Sequence, residues 1–283
     1  MISAAVRPRG PYSLRASTRH AGDATRVLVD GVLIAALAGG GAGRAWQQPN
    51  GTVQLRAPSD AGIDKLRFML ALDADHTEFL RRFARDPLIG PATRHLRGLR
   101  PLRTATVAQA LLRAVCGQLI QARRAREIER TVVRAVTPPL TGTRLHAPPS
   151  CDDLGRLAPA QFRRLGLGAR RSAALVRVCR SIDLERLRDV PANASADRLL
   201  RERGVGPWSV GVVFLEGLGR YDRGLVADLG LVKLCSALRG RRVEGWETME
   251  LLEPYGEWAG LASVYLLAAM GLGLVPVPRT AAA

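Results

Sequence analysis

The spacing of apolar residues changes near Asp86, and that change limits the fold more than any other feature of the chain. From about Tyr12 to Arg56 the runs are short and β-rich, as in Thr25–Val29 and Thr52–Arg56, and Asp30-Gly31 and Asn50-Gly51 are two-residue hairpin turns by type. Gly39–Gly43 is too rich in glycine to be an element and reads as a loop. A small antiparallel sheet follows. Ser59 is placed to cap a helix carrying Ile63, Leu66, Met69 and Leu70, and a second helix from about Asp75 to Arg85 sets Phe79, Leu80 and Phe83 on one face; both are expected to cover the sheet.

Beyond Asp86 the strand signal nearly vanishes and amphipathic helices succeed one another. The pattern predicts them over 87–99, 107–118, 122–136, 159–165, 169–182, 196–203, 208–218, 227–238, 246–252 and 258–270. Pro138-Pro139 and Pro148-Pro149 mark a long connector, and no short repeat suggests a solenoid. The expected class is α+β: an N-terminal domain over 1–85 with a small antiparallel sheet and helices, then a mainly α-helical domain over 86–283.

Charge narrows the partners. The chain of 283 residues carries a net charge of +17, and Lys65 and Lys233 are its only lysines, so the excess is arginine. A nucleic acid is the first reading; an arginine-biased composition that is merely solvated is the other, and composition does not separate them. Cys116, Cys151, Cys179 and Cys235 form no C-x-x-C pair, which argues against a zinc site or an iron–sulfur loop. Cys116, Cys179 and Cys235 read as buried thiols in a reducing cytoplasm. The start, MISAAVRPRG, lacks the apolar core of a signal peptide, and no uncharged run reaches a membrane span, so a soluble protein is expected.

The stretch 199–228, LLRERGVGPWSVGVVFLEGLGRYDRGLVAD, holds the chemistry. Gly204-Val-Gly-Pro207 is a tight turn between two helical runs, with Pro207 suited to a first helical position and backbone N–H groups able to approach an anion. By spacing it is a helix-hairpin-helix. Gly-x-Gly also serves as an ordinary helix C-cap, and an acid such as Asp228 before an apolar run is commonly an N-cap.

GVGPWS followed by YDRGLVADLGLVKL resembles the helix-hairpin-helix superfamily of DNA glycosylases. Gly98-Leu-Arg-Pro101 before Ala114-Val-Cys-Gly-Gln-Leu-Ile120, together with Tyr255–Tyr265, resembles the 3-methyladenine DNA glycosylase II branch, so the likeness covers almost the whole chain. It implies that Asp228 is the catalytic acid, stabilising the positive charge that builds on the sugar as an N-glycosidic bond breaks. Trp208 takes the position of the lysine nucleophile in relatives that also cut the backbone, which implies a monofunctional enzyme. An aromatic there could also stack on a flipped base, core packing at a helix start being the alternative.

The resemblance further implies DNA contacts by Gln118, by Leu119 as a wedge at the flipped base, by Gly204, Gly206 and Ser209, and by Arg170 and Arg171. Core packing of Leu119 and plain solvation of the arginines are the alternatives. It places a monovalent cation, Na+ or K+, at the backbone carbonyls of Leu200, Glu202 and Val205, with no catalytic metal and no other cofactor. The base pocket would be bordered by Trp208, Val212, Tyr265 and Leu267. Val212 and Leu267 stand where the best-matched bacterial enzyme has aromatics, and Ala227 stands where some relatives have a second Asp, so substrate range does not transfer.

The expected activity is excision of alkylated purines, 3-methyladenine foremost, from double-stranded DNA by a monomeric enzyme in the cytoplasm, at the nucleoid in a bacterium. The alternatives are another base (hypoxanthine, an etheno adduct or uracil) and a non-catalytic DNA-binding module.

Overall fold

A computed structural model describes residues 1–19, 21–118 and 120–275. Five antiparallel strands, β1 (Ile2–Val6), β2 (Arg26–Val29), β3 (Val32–Ala36), β4 (Ala42–Gln47) and β5 (Val53–Ala57), form one sheet in the order β1-β5-β4-β3-β2. Asp30 and Gly31 turn β2 into β3 with φ of 47° and 78°, the doubly positive geometry that matches strand twist. The glycine loop is shorter than expected. Gly39, Gly40 and Gly41 have positive φ, whereas Gly43 lies inside β4, where any Cβ would come within 2.7 Å of Leu66. β1 lies ahead of the strands expected from the sequence; its run has only Ile2 and Val6 as branched residues, and its strand character comes from pairing with β5.

Helices α1 (Leu14–Thr18) and α2 (Asp60–Met69) complete the N-terminal layer. Ser59 caps α2 as expected, its Oγ accepting the Gly62 N–H at 3.3 Å, and α2 buries Ile63, Leu66 and Met69 in one cluster with Leu33 and Leu55 of the sheet and Leu37 just beyond β3. The α+β class expected from the sequence is present.

After them come α3 (Thr77–Arg82), α4 (Gly90–His95), α5 (Val107–Gly117), α6 (Ala122–Val136), α7 (Cys151–Gly155), α8 (Pro159–Arg164), α9 (Ala169–Ser181), α10 (Ala192–Leu200), α11 (Pro207–Val212), α12 (Leu229–Arg239), α13 (Thr248–Leu252) and α14 (Ala259–Gly271). They build two apolar clusters. One joins α5 to α11 through Leu111, Val132, Phe162, Leu175, Leu199 and Phe214; the other joins α3 and α4 to α12 and α14 through Phe79, Ile89, Leu234, Leu261 and Tyr265. Phe79 and Phe83, expected over the sheet, therefore pack with the last helices. Burial against a larger apolar surface outweighs nearness in sequence.

The Gly98–Pro101 segment ties the layers together. Arg100 is fully buried, and its two terminal nitrogens donate to the carbonyls of Arg9, Pro11, Ala71 and Leu72, which offsets much of the cost of burying a guanidinium whose Nε has no partner. Gly98 has φ +92° and a Cβ there would lie 2.8 Å from the Tyr12 carbonyl carbon. That motif is a structural knot. Among the described residues no helix is long and apolar enough to cross a membrane.

Candidate active site

The hairpin forms between α10 and α11, with a turn that ends α10 earlier than the spacing predicts. Capped by Pro191, α10 starts at Ala192, four residues ahead of expectation; at the other end Glu202 N–H bonds back to Leu199 and Gly204 takes φ +92°. A Cβ on Gly204 would lie 2.9 Å from that of Ala174 on α9, so the turn needs glycine for conformation and for space. Arg177 of α9 donates to the Arg203 carbonyl, and Arg177 and Arg198 clamp the Glu202 carboxylate at 3.4 and 3.1 Å. The turn is therefore held on a rigid base. Of the carbonyls assigned to a cation, that of Glu202 already accepts Val205 N–H at 2.9 Å, which leaves it one lone pair.

Asp228 is the N-cap of α12, its Oδ1 accepting Gly230 N–H at 2.8 Å. The Trp208 indole Nε1 donates to the Asp228 Oδ2 at 3.0 Å, so both carboxylate oxygens have an N–H donor. Three glycines permit this pairing. A Cβ on Gly117 would meet the Trp208 ring at 2.6 Å, one on Gly230 would meet Leu267 at 2.4 Å, and one on Gly211 would meet the Gly224 carbonyl of the loop leading to Asp228 at 2.4 Å. Just before the acid, Ala227 has φ +68°, a costly conformation for a non-glycine residue, and its N–H is held by Thr248 Oγ1 at 2.7 Å.

A cavity of about 1230 Å³ opens here, between the two helical clusters, and Gly117, Gln118, Trp208, Val212 and Asp228 all line it. Tyr265 and Leu267 do not, and the expectation that they border the pocket is corrected. Tyr265 is fully buried, its hydroxyl donating to the Leu96 and Leu99 carbonyls, and Leu267 packs over Gly230. α14 supplies Val264 to the wall instead. The helix is apolar on nearly all sides, so its sequence carries no period to say which face meets the cavity.

Other assigned residues are placed differently from the simple expectation. Ser209 is buried, and its hydroxyl accepts from Gln118 Nε2 at 2.9 Å; the same Nε2 donates to the Gly204 carbonyl at 2.8 Å. Gln118 thus braces the hairpin. Arg171 donates to the Cys116 and Gln118 carbonyls at the end of α5, whereas Arg170 is exposed. Leu119 lies outside the described residues. Lys233, placed apart from the site by its position in sequence, lines the cavity one and a half turns after Asp228. Trp246, expected at the start of a helix, stands 61% exposed on a short 3-10 turn at the same cavity.

The same cavity is lined by an ionic cluster that composition alone did not reveal. Arg113 of α5 meets Asp23 at 2.7 Å, Glu129 of α6 at 2.9 Å and Glu216 at 2.5 Å, and Arg26 meets Asp23 at 3.0 Å. Burial pushes the Glu129 carboxyl up, against the pull of Arg113. Burial acts the same way on Asp23, but Arg26 and Arg113 together hold it well below the usual carboxylate range.

An N-terminal antiparallel sheet, a helix-hairpin-helix and a doubly bonded acid in the adjoining cavity together resemble the arrangement of the helix-hairpin-helix DNA glycosylases. The chain is 26% identical over 204 residues to a DNA-3-methyladenine glycosylase of Bacillus subtilis, a match covering 69% of this chain and 67% of the relative. Its fold matches the 3-methyladenine DNA glycosylase of Archaeoglobus fulgidus with a TM-score of 0.82 at 18% identity, over 96% of this chain and 99% of that one. It also matches the 8-oxoguanine glycosylase/lyase of Clostridium acetobutylicum with a TM-score of 0.78 at 19% identity, over 94% and 95% of the two chains. No family model matches the chain.

Proposed function

We propose that the protein is a monofunctional DNA glycosylase that removes alkylated purines, 3-methyladenine foremost, from double-stranded DNA by hydrolysis after flipping the nucleotide. The observation that carries this reading is the Asp228 carboxylate, fixed by Trp208 and Gly230 at a cavity beside the hairpin. The hairpin would seat a DNA phosphate, with the basic surface supplying affinity that does not depend on sequence. Backbone carbonyls of Leu200, Glu202 and Val205 would hold a monovalent cation at that phosphate.

With the base in the cavity, the carboxylate faces the sugar and stabilises the positive charge that develops as the N-glycosidic bond breaks. Water completes the reaction at the anomeric carbon, and an alkylated purine, already cationic, leaves with little help from an acid. Trp208 stands where a lyase would need an amine. Its indole edge serves the carboxylate, a use the stacking expectation did not include. The free thiols of the four cysteines suit a reducing cytoplasm, where a monomer would act on the chromosome.

The deciding experiment measures free bases released from duplexes carrying 3-methyladenine, 7-methylguanine, hypoxanthine, ethenoadenine, uracil or 8-oxoguanine. Release of the methylated purines, leaving an intact abasic strand, is expected. Salt-sensitive binding with no base released would make the chain a DNA-binding module instead.

A further inference from the structure

The cavity beside Asp228 separates charge in a way the net charge of the chain hides. Its charged lining comprises Asp23, Glu129, Glu216 and Asp228 against Arg26, Arg113, Arg126 and Lys233. Arg126 and Lys233 are exposed, so their charges lie at the solvated rim. The interior holds four acids and two guanidiniums. Asp23 and Glu129 are almost wholly enclosed, with side chains 7% and 3% exposed, whereas Glu216 is 23% exposed. Glu216 is therefore the most exposed carboxylate of the cluster, and it lines the cavity.

Glu216 is also placed along the wall that begins at the acid's own partner. Trp208, Val212 and Glu216 follow one another about one turn apart on the continuous helical segment from Pro207 to Leu218, and all three line the cavity. Across from them, Gly117 and Arg113 are one turn apart on α5, with Gly117 against the Trp208 ring. A planar group whose sugar lay near Asp228 and which entered past Trp208 and Val212 would approach Glu216.

We propose that Glu216, backed by Asp23 and Glu129 around Arg113, is a specificity-determining residue that favours positively charged purines over neutral ones in this cavity. This rests on the glycosylase reading and refines it. A fixed carboxylate in a partly desolvated wall attracts the charge of an N3- or N7-methylated purine, while a neutral hypoxanthine or 8-oxoguanine gains nothing from it. Arg113 keeps Glu216 in place. The basic rim would meanwhile meet the phosphates.

The test compares wild type, Glu216→Gln and Glu216→Asp in single-turnover release of 7-methylguanine and of hypoxanthine from otherwise identical duplexes. The ratio of cationic to neutral release is expected to fall about tenfold in Glu216→Gln and to be largely retained in Glu216→Asp. An unchanged ratio, with both rates moving together, overturns the proposal while leaving the glycosylase reading intact. If the wild type releases no base at all, both fall. A second measurement needs no variant: 7,9-dimethylguanine in its cationic form should inhibit the wild-type enzyme at about tenfold lower concentration than neutral 9-methylguanine. Equal inhibition by the two would also overturn it.

Discussion

The indole N–H of Trp208 donates to the Asp228 carboxylate across 3.0 Å, joining two residues that lie on opposite sides of the hairpin's following loop. This bond gives Trp208 a role that depends on its nitrogen. Trp208→Phe keeps an aromatic face but loses the donor, and a hydrogen bond to a charged group contributes about 1.5–3 kcal/mol. The rate of base release should fall roughly 10- to 100-fold with DNA affinity nearly unchanged. Gly117→Ala, which drives a methyl into the same ring, should act in the same direction; full activity in Trp208→Phe would assign the ring to stacking alone.

Asp228→Asn retains a side-chain acceptor for Gly230 N–H but removes the negative charge. Single-turnover excision should drop by at least about 1,000-fold, while duplex binding by fluorescence anisotropy changes little. A variant still releasing methylated base at the wild-type rate would remove Asp228 from the mechanism.

Gly204→Ala tests the hairpin. The left-handed conformation costs a side chain about 1–2 kcal/mol, and the new methyl would press on Ala174. Thermal melting should shift down by a few degrees, with weaker DNA binding and a smaller salt dependence. Unaltered binding would show that the phosphate is seated elsewhere.

Lys233 gives a test of strand cleavage. Since it lines the cavity, borohydride reduction in the presence of abasic duplex is the direct check for an amine nucleophile. No covalent adduct is expected with the wild type. Lys233→Ala should reduce the salt slope of binding by about one counterion if the charge meets a phosphate.

His76 sets a pH dependence of stability. Burial first, then the charges of Arg100 and Arg103, push its imidazole down to about 3, and its Nε2 pairs with the Tyr221 hydroxyl at 2.9 Å. Below the ordinary value near 6.5 the unfolded chain takes up a proton that the folded chain refuses. Stability is therefore fully present above about 6.5 and is lost as pH falls toward 3, at about 1.4 kcal/mol per pH unit from this group. Chemical denaturation of His76→Asn should show a shallower decline over that window.

Short-range chemistry was the legible part of the chain. The Asp30-Gly31 turn, the Ser59 cap, the helical pattern after Asp86 and the Gly204 turn each depend on a few adjacent residues whose backbone preferences are local. The position of Asp228 as an N-cap was legible too, and the structure shows that capping and site geometry coexist in one residue, one oxygen serving each donor.

Tertiary structure decided which faces meet. The uniformly apolar α14 carried no period, so only packing could send Tyr265 into the core and Val264 to the cavity. Asp23, Arg113, Glu129 and Glu216 are scattered over nearly 200 positions, each an ordinary surface charge by sequence; folding removes them from water and makes their pairing obligatory. The sequence by itself determined the turns, the helices and the acid, because those follow from local conformational preference. The cavity's shape and the pairing of the charges that line it were decided by long-range burial, which no short window of residues contains.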